Sequence, residues 1–398
     1  MTIITARRTL FALFGLLVLG LLALPASSPV LADAPIRIGA TASQTGPYDT
    51  QGVPVRNAYL LCQKHVNQRG GLLGRRVELL IRDDQSDTKL APALYEKLIV
   101  EDKVDAVMGP YGSPLTESVA PVVEKHRKVM LAPLAATSSI WEKGRRYIVM
   151  QLGPSELFLA GLIDLAARHG LKTLALVTED TIFPRSAGKG TTELARKHGL
   201  EVVLHEEYAK GSQDFSGVLG KVKAANPDVL AIASANLSDF IVFARQMKER
   251  DVNAKMFGTT TAVAEFQQAL GKAADFAYGA SPWEPSVPYP GVKDFVAAYE
   301  KEYQKPPSLH AAGAYAGCQL FLEAARRAAS IDSERVREQL LTLKTTTIFG
   351  DYAVDERGYQ TANKGLLVQW QDGAKVVVWP DRFATTKPRF PTPAWSQR

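Results

Sequence analysis

From residue 36 onward the sequence alternates short β-branched and apolar runs with longer stretches whose apolar positions recur every three or four residues. That pattern belongs to parallel sheets joined by crossover helices. The first run, 36–40, predicts a strand. After it Val55, Ala58, Cys62 and Val66 fall at steps of three, four and four, one apolar face of a helix that stops at Gly70 and Gly71. Strands are expected at 77–81, 104–108 and 129–132, with helices over 90–101 and 114–126. Ser113 stands where an N-cap belongs and Pro114 at the first helical position. A second alternating series starts after Pro154. It predicts a helix to His169, then strands at 173–177, 201–204, 229–233 and 255–257, separated by helices over 191–198, 215–225 and 239–250. Three more helices, near 292–304, 311–329 and 333–343, precede a pair of strands at 366–371 and 375–379 turned by Asp372-Gly373. The simplest account is two β/α lobes in tandem. The tail over 385–398, with Pro388, Pro391 and Pro393, is expected to be an irregular surface extension.

Ahead of this series, Arg7 and Arg8 precede an apolar run from Leu10 to Leu24, and Val30-Leu31-Ala32 supplies small residues of the kind a signal peptidase reads. The run is shorter than the ~20 residues a bilayer core needs, so residues 1–32 are expected to be a cleaved signal peptide and the mature protein to be soluble outside the cytoplasm. Residues 33–398 then suggest two lobes at ~150 residues each. The formal charge of +6 includes Arg7 and Arg8 and is otherwise spread out, with no basic run interleaved with aromatics, so nucleic acid is not expected as a partner. A mild positive balance fits an anionic ligand. Cys62 and Cys318 are the only cysteines; in an oxidising compartment they can pair or remain two buried thiols.

The usual catalytic constellations are missing: there is no G-x-S-x-G, no H-E-x-x-H, and no Cys/His spacing suited to zinc. No enzyme activity, metal or cofactor is expected. Residues 187–191, Ala-Gly-Lys-Gly-Thr, do not make a phosphate loop, because Phe183 stands where that motif needs Gly and Gly190 where it needs Ser or Thr. Gly70-Gly71-Leu72-Leu73-Gly74 follows a helix, so it reads as a helix stop and not as a dinucleotide fingerprint. Asp83, Asp84 and Asp87 do not have calcium-loop spacing and read as a solvated turn with a helix cap. What remains is a set of strand-to-helix loops rich in hydroxyls and small residues: 44–51, 109–116 and 133–139. In parallel sheets such loops lie at the carboxyl ends of strands, where free N–H groups and helix dipoles favour a carboxylate.

Several segments together resemble a known family. They are Ile38-Gly39 with Thr45-Gly46-Pro47; Val66 to Gly74; Arg82-Asp83-Asp84; Val107-Met108-Gly109-Pro110 followed by Ser113; Ala132 to Thr137; Asp214-Phe215-Ser216; and Asn226-Pro227-Asp228-Val229. In this order they resemble the leucine/isoleucine/valine-binding proteins, the periplasmic receptors of branched-chain amino-acid ABC importers. The resemblance implies an α/β fold of the type I periplasmic binding kind: two Rossmann-like lobes, a ligand cleft between them and a hinge of three chain crossovers. By position, lobe one comprises 33–150 and 284–362, and lobe two comprises 151–283 and 363–398. The family's carboxylate-binding serine falls on Ser113, its partner loop on Ala135 and Thr137, and its lobe-two aromatic on Phe183. At Thr260 the family commonly has an acid that holds a ligand ammonium, and here Gly258-Thr259-Thr260-Thr261 carries none. Loss of one partner of a buried ion pair costs about 3 to 5 kcal/mol, so an amino acid would need another anion, such as Asp180, Asp239 or Glu284. Tyr48, Tyr111, Phe183 and Trp283 lie in candidate cleft loops. The expectation is therefore a monomeric solute-binding protein of the periplasm that passes a small carboxylate, aromatic or otherwise apolar, to an ABC permease in the inner membrane. The candidate ligand-binding residues are Ser113, Ala135, Thr137, Phe183, Thr260, Tyr111 and Tyr48. An apolar amino-acid binder of the same importer type, or a ligand sensor for a signalling receptor, are the alternatives.

Overall fold

The computed structural model describes residues 34–398, so the expected signal peptide lies outside the described residues. The first strands are β1 (Ile36–Ala42), β2 (Val77–Asp83), β3 (Ala106–Met108), β4 (Met130–Ala132) and β5 (Ile148–Met150). They form one all-parallel sheet in the order β2-β1-β3-β4-β5. Helices α1 (Asp49–Gln68), α2 (Leu90–Val100) and α3 (Ser113–Lys125) make its crossovers. The apolar face read from the spacing is the buried one: Val55, Ala58, Cys62 and Val66 are all in the core. Helix α1 ends at Gln68, and the Gly71 N–H returns to the Val66 carbonyl at 2.9 Å, with Gly70 and Gly71 both at positive φ.

The second sheet follows. Its elements are α4 (Ala160–Arg168), β6 (Thr173–Glu179), α5 (Ile182–Lys197), β7 (Glu201–Tyr208), α6 (Ser216–Ala225), β8 (Val229–Ala233), α7 (Leu237–Glu249), β9 (Met256–Thr259), α8 (Ala264–Leu270) and β10 (Tyr278–Ser281). The chain then gives α9 (Val292–Tyr303), α10 (Leu309–Ala328), α11 (Ser333–Thr342), a two-stranded hairpin of β11 (Thr345–Thr347) and β12 (Gly350–Tyr352), and finally β13 (Leu366–Gln371) and β14 (Ala374–Trp379). The order is β14-β13-β10-β9-β8-β6-β7, parallel from β7 to β10 and antiparallel at β13 and β14. The β13–β14 turn has Asp372 and Gly373 both at positive φ, as a two-residue hairpin turn requires.

The chain passes between the two sheets three times: between β5 and α4, between β10 and α9, and between β12 and β13. After β10 it returns to the first sheet, where α10 lies along α1. Cys62 and Cys318 are bonded as a disulfide that joins these two helices across 256 residues of sequence. Pairing, one of the two states left open by the sequence, is the one adopted.

Two expectations need correction. Helix α5 starts at Ile182, nine residues before 191; Pro184 sits in its first turn, where a missing N–H costs nothing. Gly190 is in that helix because its neighbour is backbone: a Cβ there would come within 2.3 Å of the Glu156 carbonyl oxygen. Asp84 is fully buried and not part of a solvated turn. It accepts hydrogen bonds from the Thr41 and Ser43 hydroxyls at 2.7 and 2.6 Å and from the Ser86 N–H at 3.0 Å, which fastens the loop after β1 to the end of β2. The tail over 385–398 is irregular, as expected, and is pinned by Thr392 N–H to the Lys255 carbonyl and Trp395 Nε1 to the Val252 carbonyl. Among the described residues no helix is long and apolar enough to cross a membrane.

Candidate functional site

The carboxyl ends of the parallel strands in both sheets converge on one cavity of about 530 Å³. Its first wall comes from Tyr48 after β1, Tyr111, Gly112, Ser113 and Pro114 after β3, and Leu134 after β4. Tyr111 and Leu134 form an isolated parallel bridge that prolongs the β3–β4 ladder into the site. The second wall comes from Phe183 at the start of α5, Ala235 after β8 and Thr261 after β9. The crossovers contribute Leu152, Phe158 and Pro282, and the first turn of α10 adds Leu309 and His310. No charged side chain is in this lining.

Ser113 is the first residue of α3 and not its N-cap. Gly112 holds the cap position at φ 79°, a conformation that suits glycine. The Ser113 hydroxyl oxygen accepts from the Ala136 and Thr137 N–H groups at 3.1 and 3.2 Å, tying the loop after β4 to the start of α3. A hydroxyl has one hydrogen to donate besides its acceptor lone pairs. Ser113 therefore still has its O–H to offer at the wall of the cavity, next to the N-terminus of a helix. Thr137 is buried on the same loop, and its Oγ1 has no hydrogen-bond partner among the described residues. Ala135 is buried there as well. Neither lines the cavity, whereas Leu134 does.

On the opposite wall Phe183 packs edge-on to Phe158, ring centres 5.3 Å apart. Thr260 is not in the lining. Its hydroxyl donates to the Ser234 carbonyl and accepts the Ser234 N–H, both at 3.2 Å, so it splices the end of β9 to the end of β8. The next residue, Thr261, faces the cavity instead. Tyr48 is buried, stands edge-on to Tyr111 at 5.5 Å, and has Lys210, which follows β7 of the second sheet, 5.3 Å above its ring. The Tyr48 Oη has no partner among the described residues. The Tyr111 hydroxyl reaches across to the Ala235 carbonyl at 3.5 Å. Burial, with the Glu179 carboxylate nearby, pushes both tyrosine hydroxyls well up, so they remain protonated donors.

The acids expected as ammonium partners are engaged elsewhere. Asp180 pairs with Arg185 at the surface. Asp239 is buried, accepts from the Tyr208 hydroxyl at 2.8 Å and lies 2.9 Å from the Ser234 hydroxyl, which it shares with Glu179, with burial raising its pKa. Glu284 pairs with Lys375 at 2.8 Å in a neighbouring groove of about 1140 Å³ that Trp283 also lines. Sequence reasoning missed Glu179, the acid that closes the apolar strand β6. It is fully buried; its Oε2 accepts from the Ser234 hydroxyl and the Ala235 N–H, while Oε1 has no partner among the described residues. Its signal was an acid at the carboxyl end of a parallel strand. His310, also missed, is a lone histidine at the start of an apolar helix, a pattern that by default means packing. Phe158, Leu152 and Pro282 lie on the crossovers, where no local periodicity marks them. Among the described residues no group of His, Cys, Asp and Glu is placed to hold a metal.

A family model described as periplasmic binding protein matches residues 35–375. Leu/Ile/Val-binding protein homolog 7 of Brucella suis biovar 1 (strain 1330) is 25% identical over 383 residues, covering 90% of this chain and 95% of the relative. Among solved structures, a leucine binding protein from Thermotoga maritima MSB8 superposes with a TM-score of 0.78 at 21% identity, covering 86% of this chain and 97% of that one. A solute binding protein of an ABC transporter from Rhodopseudomonas palustris BisB5, in complex with 3,4-dihydroxy benzoic acid, gives 0.74 at 24% identity, covering 85% and 94%.

Proposed function

The chain belongs to the periplasmic binding protein family, of the leucine/isoleucine/valine-binding type, and we propose that it captures a small carboxylate with an aromatic or otherwise apolar body and hands it to an ABC permease in the inner membrane. Lobe one is taken as 33–150 with 284–362, and lobe two as 151–283 with 363–398. One observation carries the choice of ligand. The cavity has neutral donors at the start of α3 and a lining of tyrosine, phenylalanine, leucine and proline, with no charged side chain. A carboxylate fits the Ser113 hydroxyl and the first-turn N–H groups of α3; an apolar body fits Phe158, Phe183, Leu134 and Leu152. Thr137 stands behind this end with a hydroxyl still to place. Capture and release need no chemistry on the ligand. Periplasmic binding proteins as a class close around their ligands by hinge motion; closure depends on ligand only through its greater affinity for the closed form.

A second reading, an apolar amino acid, is favoured by Glu179, whose Oε1 is buried and unpartnered behind Ala235. A thermal-shift panel of aromatic acids, 2-oxo acids and amino acids separates the two, since a ligand at 100 times its Kd adds about 2.7 kcal/mol. Shifts with aromatic or 2-oxo acids support the first reading. Shifts with leucine or valine alone replace it with the second, and no shift with any carboxylate overturns both.

A further inference from the structure

His310 is the second residue of α10, a helix capped by Ser308, whose Oγ accepts the Ala311 N–H at 3.3 Å. The cap fixes the first turn and with it the direction of the imidazole. The ring lines the ligand cavity and stands edge-on to Tyr111, ring centres 5.2 Å apart and planes at 85°. It is 4% exposed and makes no side-chain hydrogen bond to another described residue. Tyr48 stands edge-on to the same Tyr111 ring, and its hydroxyl is buried without a partner among the described residues. Two polar groups thus flank one aromatic ring in a cavity whose other walls are mostly apolar. Buried polar groups are costly unless hydrogen-bonded, and a site holding them unpaired favours a ligand that pairs them.

We propose that His310, together with Tyr48, reads a hydroxyl group on the body of the ligand, so that the protein prefers hydroxylated carboxylates to their unsubstituted parents. Burial first, and Lys375 next, lower the His310 pKa to about 3, so the ring is neutral at ordinary pH. A neutral imidazole has one N–H and one bare nitrogen, and a protonated tyrosine has one O–H. Together they can accept from a ligand hydroxyl and donate to it, while offering no cation to a second carboxylate. Phenylalanine or leucine at 310 would leave that part of the cavity apolar. This role deepens the carboxylate reading and depends on it, because the carboxylate end must be anchored near Ser113 for the body to reach His310.

The test is titration calorimetry of the mature protein with three pairs: benzoate and 4-hydroxybenzoate, benzoate and 3-hydroxybenzoate, phenylalanine and tyrosine. At least one hydroxylated member is expected to bind about tenfold or more tightly than its parent, since sites built to hydrogen-bond a hydroxyl discriminate strongly against its loss. In His310→Phe the ratio of the hydroxylated acid's affinity to its parent's is expected to fall to about one; in His310→Gln, which keeps a donor and an acceptor, part of the preference is expected to return. Parents binding as tightly as the hydroxylated acids would overturn the role of His310 and leave carboxylate capture standing, as would an unchanged preference in His310→Phe. No binding of any of these carboxylates would count against the capture reading and against His310 with it.

Discussion

The Ser113 hydroxyl oxygen accepts the backbone N–H of Thr137 at 3.2 Å, and this bond, with its companion from Ala136, joins the start of one crossover helix to the loop that follows the neighbouring strand. It makes the proposed carboxylate anchor a rigid part of the first sheet's rim. The serine holds the loop through its lone pairs and keeps its hydrogen for a ligand.

Ser113→Ala is therefore expected to act twice. It removes a donor to the carboxylate and leaves two buried N–H groups without their acceptor, each kind of loss being about 1 to 3 kcal/mol. Calorimetry should show capture weakened by roughly 5- to 150-fold, and urea unfolding should show a lower midpoint. Unchanged affinity would remove Ser113 from the site.

Glu179→Gln separates the two ligand readings. Glu179 accepts from Ser234 and Ala235 through one oxygen, Oε2, behind the cavity wall, and an amide whose oxygen takes that place keeps both bonds. Binding of an apolar carboxylate is expected to change by no more than a few-fold. A loss on the order of 100-fold or greater for an amino-acid ligand, the size expected when a buried charge pair is broken, would favour ammonium recognition.

The Cys62–Cys318 disulfide clamps α1 to α10 and closes a loop that contains the whole second series of strands. Replacing both cysteines with alanine should lower stability by about 2 to 4 kcal/mol and leave ligand affinity within a few-fold, because neither cysteine lines the cavity. Differential scanning calorimetry with and without reductant reads the first effect. A variant as stable as the parent would contradict it.

Glu117 supplies a pH-dependent element. Burial raises its pKa, but the Arg145 guanidinium, bonded to both carboxylate oxygens at 2.6 and 2.9 Å, and Lys143 outweigh that and hold it below the ordinary glutamate value. A carboxyl with a lowered folded pKa stabilises the fold fully above its unfolded pKa, near 4.3, and loses that contribution as pH falls through the folded value. Glu117→Gln should cost about 1 to 3 kcal/mol at pH 7, and the gap to the parent should narrow below about pH 4. Urea unfolding across pH 3 to 7 checks the sign: a gap that widens on acidification would contradict it.

Long periodic elements were legible in the sequence. Val55, Ala58, Cys62 and Val66 mark α1 because a helix buries one face at that spacing, and Gly70-Gly71 marks its end because the chain there must adopt positive φ. The start of α5 was hidden because Pro184 and Gly190 look like helix breakers, whereas one is harmless in a first turn and the other answers the close approach of Glu156. β5 and β10, of three and four residues, are too short to show a period. At the site, the loops were legible from strand order. The individual side chains were not: Thr260 and Thr261 differ by a single position, and only the bond to Ser234 tells which of them turns inward. The Cys62–Cys318 pairing and the part played by His310 depend on α10 returning to α1, a contact across 256 residues that no local pattern encodes.

The most direct measurement is titration calorimetry of the mature protein with an aromatic carboxylate and with its methyl ester and primary amide, which have the same ring and lack the negative charge. Carboxylate capture at Ser113 and the α3 N-terminus predicts saturable one-to-one binding of the acid, recovered unaltered, and binding of the ester and amide weakened by roughly 100-fold or more. Equal binding of acid, ester and amide, or conversion of any of them, would contradict it.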